Sequence, residues 1–480
     1  MKLFLIYLAV VLSCCEAYKI LIIFPLPGKS HSILGNGYVR HLLEDGHEVT
    51  YITPFNYKSA PKNLRIIDVT NKLLPDPSKT MNIQNLMGSD KKAMDYNDLM
   101  PMLFGMAKLT LEHENVQKLI NNPNEQFDVV IAEWMFSELY AGLATVFNCP
   151  LIWSSSIDAH WGILRLIDQP SNPAYTGDCL STYLPPFDFP QRVAELYTQL
   201  KVEFMHYWIF DPLETQVYDQ LIAPIVVKRG RQPPSFNVVQ YNASLVLANA
   251  HTSLGQAQSL PQSYVSVGGY HIEEDVKPLP EDLKKILEDA KDGVIYFSMG
   301  SNLQSKDIPK ELKDSLLKIF GELKQTVLWK FEENLPNLPK NVHILKWAPQ
   351  QSLLSHPKVI LFITHGGLLS TTETVHFGVP IIGIPVFADQ FLNVARAVHR
   401  GFALKVDLSL TMAGELKAAI QEITTNPKYS EKVKQLSQIY HDRPLSPGKE
   451  LVHWVKHVIR TNGAPHLRSP GISVPFYQKL

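Results

Sequence analysis

The chain has 480 residues, 45% hydrophobic and 19% charged, with 45 Lys and Arg against 46 Asp and Glu for a net charge of −1. That length implies two domains or more around a large core, in an ordinary globular composition. The even charge leaves no broad basic footprint for nucleic acid, so the expected partners are small molecules.

Lys2 precedes an apolar run from Leu3 to Leu12, and Cys15-Glu16-Ala17 puts small residues at the two positions a signal peptidase reads. Residues 1–17 are therefore expected to be a signal peptide, cleaved before Tyr18. The run is shorter than the roughly 20 residues a membrane span needs. Beyond that segment only Cys149 and Cys179 remain. A secretory chain of this size can fold on its core, so one disulfide is allowed and none is required. Asn242-Ala243-Ser244 is the one glycosylation sequon.

Lys19 to Pro25 reads as the first strand of a βαβ unit, Val39 to Leu43 lies in the following helix, Gly46 closes it, and Glu48 to Thr53 is the second strand. Residues 72–120 are polar and Met-rich, helical and loop-like. Phe127 to Ala132 and Pro150 to Ser154 read as buried strands flanking a helix from Ser137 to Phe147. Residues 160–240 are rich in aromatics. Trp161, Tyr183, Phe187, Tyr207 and Trp208 either line an apolar cleft or pack helices onto the sheet. The helical pattern from Val193 to Tyr218 has no charge-free span able to cross a bilayer, but it can lie on one as an amphipathic surface element. Leu245 to Ala248 and Tyr264 to Tyr270 close a first domain, residues 18–270.

Glu273 to Asp292 then has the acidic, Lys- and Pro-bearing composition of a surface linker, set at residues 271–292. A second α/β series occupies residues 293–445, with strands near Val294 to Phe297, Thr326 to Trp329, His343 to Leu345, Val359 to Ile363, Ile381 to Ile384 and Ala403 to Val406. Strands alternating with helices imply parallel sheets covered on both faces. The fold class is α/β: two facing Rossmann-like domains with a cleft between them.

Chemistry concentrates at strand ends. The apolar run Val359 to Ile363 is followed by the turn Thr364-His365-Gly366-Gly367 and a helix from Leu368 to Phe377. A strand, a glycine turn and a helix N-terminus make an anion site, because the first helical turn has free N–H groups at the positive end of the macrodipole. His365 can donate to a diphosphate there, and Glu373, two turns on, can reach a sugar hydroxyl pair. The next strand, Pro380 to Val386, ends in Phe-Ala-Asp-Gln, putting Asp389 and Gln390 at the carboxyl edge where ligands of open α/β sheets bind. Ser298, Gly300 and Ser301 end another strand; the glycine lets backbone approach a phosphate and the hydroxyls can donate to it. In the N-terminal half, His31 follows the first strand in the loop Pro27-Gly28-Lys29-Ser30-His31-Ser32, where a neutral imidazole can take a proton from an attacking hydroxyl. Gly-Lys-Ser invites a phosphate-loop reading, but that motif needs a glycine where this chain has Ile23, so the NTPase idea fails.

The stretch from Val359 to Phe391 resembles the signature of the UDP-glycosyltransferases, which move a sugar from a UDP-sugar to a small lipophilic acceptor. His-Gly-Gly, Glu373, Gly-Val-Pro and Asp-Gln fall at the family's spacing, and Leu-Leu-Ser-Thr-Thr looks like the insect branch. The resemblance implies the GT-B type of glycosyltransferase fold, with the C-terminal segment 446–480 returning as a helix, Glu450 to Ile459, to the first domain. It also implies a nucleoside site at Trp347 and Gln350, a ribose site at Glu373, diphosphate contacts from Ser298, Gly300, Ser301, His365, Gly366 and Gly367, and sugar contacts from Asp389 and Gln390. His31 becomes the catalytic base. Many members orient that base with an Asp after the fourth strand; the aligned residue here is Glu133, whose longer side chain can still accept from the imidazole.

No Asp-x-Asp pair occurs, which argues against the metal-dependent class of glycosyltransferase, so no metal and no cofactor beyond the UDP-sugar co-substrate is expected. The expected reaction is an inverting transfer of a hexose to an acceptor hydroxyl, with UDP-glucose favoured over UDP-glucuronate by the insect-like wording. The rivals are a catalytically silent nucleotide-sugar-binding homologue and a UDP-sugar epimerase, which would need no acceptor. The secretory pathway is the expected location, in the endoplasmic reticulum lumen or at its membrane. Family members usually carry a transmembrane helix and basic tail after the catalytic domains; none is legible beyond His466, which leaves secretion, peripheral membrane contact and homo-oligomerisation open.

Overall fold

The computed structural model describes residues 17–57, 59–70, 87, 95–301, 303, 305–474 and 478. The expected leader lies outside them apart from Ala17, as does most of the polar stretch between residues 71 and 94.

Strands β1 (Lys19–Ile23), β2 (Glu48–Thr53), β3 (Leu64–Asp68), β4 (Val129–Trp134), β5 (Leu151–Ser155), β6 (Ala243–Ala248) and β7 (Tyr264–Ser266) form one sheet in the order β3-β2-β1-β4-β5-β6-β7. Strands β8 (Val294–Ser298), β9 (Thr326–Lys330), β10 (Val342–Leu345), β11 (Val359–Thr364), β12 (Ile381–Gly383) and β13 (Ala403–Lys405) form a second, ordered β10-β9-β8-β11-β12-β13. Every pairing is parallel. The central strands are buried on both faces, which is why Ile20 to Ile23 and Val129 to Ala132 read as unbroken apolar runs. The edge strand β3 escaped the sequence reading because it is short and ends in Asp68. Arg65 in it makes a two-pronged bond to Glu125, at 2.6 and 2.7 Å.

The helices that bear on function are α1 (Lys29–Glu44), α2 (Tyr96–Glu112), α3 (Phe189–Met205), α4 (Glu281–Asp289), α5 (Gln350–Leu354), α6 (Leu368–Phe377), α7 (Gln390–His399) and α8 (Pro447–Arg460). The sequence reading made one helix of Val193 to Tyr218. The chain instead runs from α3 through a π turn, His206–Phe210, into a further helix, Asp211–Leu221. Pro212 explains the wider turn, since it has no N–H for an ordinary helical bond. The polar segment read as a linker holds α4, whose Leu283 and Leu287 are buried in the second domain's core. Its charges mark the outer face of an amphipathic helix.

Several contacts join the domains. Helix α8 lays Leu451, Val455 and Val458 into the first domain's core beside Ile20 and Val39. Arg396 of α7 reaches Asp158 in the first domain at 2.9 Å. Cys149 and Cys179 are both free thiols. Asn242 is exposed, and its side-chain oxygen accepts from Arg468 at 2.7 Å. No helix among the described residues is long and apolar enough to cross a membrane.

Candidate active site in the cleft between the sheets

Each sheet reverses its strand order once, between β1 and β4 in the first and between β8 and β11 in the second. At such a point the flanking helices diverge to opposite faces and leave a crevice at the carboxyl ends. The two crevices open into one cleft of about 1150 Å³.

On the first wall, α1 begins just after β1, so His31 lies in the first turn of a helix and not in a loop as the sequence suggested. Ile23 of β1 pairs with Ala132 of β4, which sets Glu133 beside the start of α1. The imidazole Nδ1 of His31 is 2.5 Å from Glu133 Oε1, with the His31 ring partly open to the cleft and the carboxylate buried. Burial alone would lower the His31 pKa, but the Glu133 charge and hydrogen bond, with help from Asp389 across the cleft, raise it above its ordinary value of 6.5. Glu133 Oε1 also accepts from Ser156 at the end of β5, a partner that sequence reasoning missed. The hydroxyls of Tyr38, Tyr51 and Tyr270 are buried nearby; desolvation, reinforced by the Glu133 charge, pushes all three pKa values up, so they stay protonated.

On the facing wall, Ser298 ends β8 opposite Thr364 at the end of β11. Gly300 has φ +83°, and the His365 ring packs so close that a Cβ on Gly300 would lie 2.6 Å from it; one on Gly367 would lie 2.7 Å away. Only glycine permits that close stacking of turn on imidazole. Burial, and then the nearby Lys330 charge, hold His365 at a pKa of about 4, so at neutral pH it is an uncharged N–H donor. Lys330, at the end of β9, is buried and donates to Gly300 O at 2.9 Å and to Glu332 at 2.7 Å. Ser301 lines the same cleft. Gly367 is the N-cap of α6, whose first-turn N–H groups face the turn, and Gly366, φ +84°, gives its carbonyl to Asn393 at 3.1 Å.

Trp347 stands at the cleft, 58% exposed, with the Lys29 ammonium over the indole ring, 4.4 Å from its centroid. Gln350 opens α5 and donates to Glu373 Oε2 at 2.5 Å and to Ser370 at 3.1 Å. Gln351 donates to Glu373 Oε1 at 3.1 Å. Glu373 is thus fixed by two amides, and its remaining lone pairs can accept from a diol. His271, also missed from the sequence, comes from the segment just after the first domain to within 3.5 Å of Glu373 and is buried. Asp389 accepts from Asn393 at 2.8 Å. Burial raises its pKa, against the pull of Asn393 and, more weakly, of His31 and Arg396. Gln390 turns its carbonyl inward to the N–H groups of Val386 and Phe387, at 2.9 and 3.1 Å, leaving its NH₂ as a donor. Ala388 has φ +53°, a strained turn that sets Asp389 at the cleft.

None of the five aromatics named for the acceptor wall lines the cleft. Trp161 and Phe187 are buried in the core, while Tyr207 and Trp208 point outward. Met102, Leu103, Met106, Phe136, Cys179 and Leu180 form the apolar wall instead. Spacing alone could not tell which face of each helix turned inward.

A model of the family described as UDP-glucoronosyl and UDP-glucosyl transferase matches residues 19–479. The chain belongs to that family. It is 31% identical to UDP-glucosyltransferase 2 of Dactylopius coccus over 479 residues, covering 98% of this chain and 90% of the relative. It is 31% identical to UDP-glucuronosyltransferase 2B7 of Homo sapiens over 362 residues, covering 74% and 65%. Among solved structures it is similar to glycosyltransferase VinC in complex with DTDP, with a TM-score of 0.60 at 16% identity, covering 92% of this chain and 100% of that one. The calicheamicin glycosyltransferase CalG4 gives a TM-score of 0.59 at 14% identity, with 93% and 99% covered. These likenesses fix the GT-B fold. As a UDP-glycosyltransferase, the chain is an enzyme of glucosyl or glucuronosyl transfer.

Proposed function

We propose that this UDP-glycosyltransferase transfers a hexose from a UDP-sugar to a hydroxyl of a small lipophilic acceptor, with inversion at the anomeric carbon and without a metal. The observation that carries the proposal is the His31–Glu133 pair, 2.5 Å apart on one wall and facing the glycine turn, Asp389 and Gln390 on the other. His31 Nε2 takes the acceptor proton as the acceptor oxygen forms its bond to C1, on the side opposite the breaking C1–O bond to the β-phosphate. The imidazolium that forms is stabilised by Glu133, and UDP leaves with the bonding electron pair. Its charge is met by the N–H groups of α6, the hydroxyls of Ser298 and Ser301, the N–H of His365 and the Lys330 ammonium, which together supply what a divalent cation supplies elsewhere. Glu373 takes the ribose hydroxyls, the exposed indole of Trp347 the uracil, and Asp389 with the Gln390 amide the sugar hydroxyls. The apolar wall of Met102, Leu103, Met106 and Phe136 receives the acceptor.

The test is a screen of phenol and steroid acceptors with labelled UDP-glucose and UDP-glucuronate side by side, with and without chelator. The expected result is acceptor-dependent release of UDP, undiminished by chelator, and a β-linked product from an α-linked donor. A retained anomeric configuration or abolition by chelator would refute the mechanism. Consumption of the donor with no acceptor present would favour epimerisation.

A further inference from the structure

Helix α3 reverses the usual arrangement of a surface helix. Two of its charged side chains face the protein: Glu195 is buried and accepts from the backbone N–H of Asp178 at 2.9 Å and from Ser181, and Lys201 reaches Asp95 at 3.1 Å. In the turn that follows, buried His206 lies 3.1 Å from Glu138. Of its large apolar side chains, Val202 is buried and Met205 half-buried, and the rest face outward. Phe189, Tyr197, Leu200, Phe204, Tyr207 and Trp208 are each between 55% and 77% exposed. From Tyr197 onward their spacing of three and four keeps them on one face. Between residues 189 and 213 the only exposed charged residues are Arg192 and Glu203. A 17-residue helix makes this strip about 25 Å long.

We propose that this outer face rests in the headgroup–acyl boundary of a lipid bilayer, beside the acceptor end of the cleft. Three observations select a bilayer over a protein partner. The strip combines Leu and Phe, which suit acyl chains, with tyrosine hydroxyls and an indole N–H, which suit the headgroup level. It is nearly free of charge, so it has no pattern to match on a partner. It is also continuous with the cleft: Glu195 holds the loop Asp178 to Ser181, and Cys179 and Leu180 of that loop line the apolar wall. A lipophilic acceptor dissolved in the bilayer would then enter from the membrane side. That last point rests on the proposed function, whereas the docking itself does not.

The experiment is flotation of the purified full chain with zwitterionic phosphatidylcholine vesicles, comparing the wild type with the combined variant Tyr197→Ser, Phe204→Ser, Tyr207→Ser and Trp208→Ser. The expected result is a tenfold or greater fall in vesicle partition for the variant, with the melting curve and UDP affinity unchanged, and a wild-type partition indifferent to 0.5 M salt. Because the apolar N-terminal run could itself hold vesicles, a second measurement uses brominated lipid, which should quench the wild type more than Trp208→Phe while both still float. Equal partition of wild type and variant, or equal quenching of wild type and Trp208→Phe, would overturn the proposal. A variant that changes only the oligomeric state, with partition untouched, would overturn it in favour of self-association. Because none of these readings needs turnover, they stand or fall separately from the proposed reaction.

Discussion

His31→Gln is expected to lower kcat by about a hundredfold to ten-thousandfold, the span over which a positioned general base contributes, while the affinity for UDP stays as it was. Glutamine is chosen because its amide can still donate to Glu133, so the buried carboxylate keeps a partner and the melting temperature holds. An alanine there would leave Glu133 Oε1 with Ser156 as its remaining partner, and losing the bond to the buried carboxylate would cost about 1.5–3 kcal/mol in stability and confuse the reading. The wild-type pH profile supplies the sign. As the proposed base, His31 would act only when neutral, and the Glu133 charge raises its pKa above 6.5 despite the opposing effect of burial. The turnover of the wild type should therefore climb with pH through a limb lying above 6.5, and that limb should vanish in His31→Gln. Stopped-flow measurement of UDP release, with calorimetry for UDP binding, checks both parts.

Glu133→Gln should be nearly as damaging, with kcat falling by up to about ten-thousandfold, as when the orienting carboxylate of a serine-protease triad is replaced by its amide. The amide keeps the shape and the bond to Ser156 but has no charge to stabilise the imidazolium, and its NH₂ can impose the wrong tautomer on His31. Removing the charge also removes the main cause that raises the His31 pKa, so burial prevails and the acid limb moves to lower pH. A lowered plateau together with a limb displaced toward acid separates this role from a structural one, because a merely loosened fold would lower the plateau and leave the limb in place.

The donor wall was legible from the sequence because one continuous stretch, Val359 to Phe391, supplies strand, turn, helix and the next strand end. The general rule that ligands bind at the carboxyl ends of parallel strands then put His365, Asp389 and Gln390 on one edge. The same rule could have found Lys330 and Ser156, each at or just beyond the C-terminal end of a strand, had the exact ends of β9 and β5 been known. His271 and the tyrosines around Glu133 gave no such signal: they reach the site from elements far away in sequence, and an isolated His or Tyr carries no local pattern. The wall proposed for the acceptor was hardest. Its lining comes from one face each of α2 and the loops after β4 and β5, and the aromatic-rich stretch that seemed to offer it turned out to split between core and outer surface. Helix α4 was hidden for a related reason, since two buried leucines among lysines and acids carry a weaker signal than the composition around them.

The central claim is that a proton-accepting imidazole and the donor's anomeric carbon meet across one cleft. A crystal structure of the complex with a non-transferable UDP-sugar analogue tests it most directly. The account predicts His31 Nε2 within about 6 Å of C1, with an acceptor oxygen fitting between them at hydrogen-bonding distance from one and attack distance from the other. A sugar bound with C1 turned away from His31, or held beyond that reach with the domains closed, would contradict it.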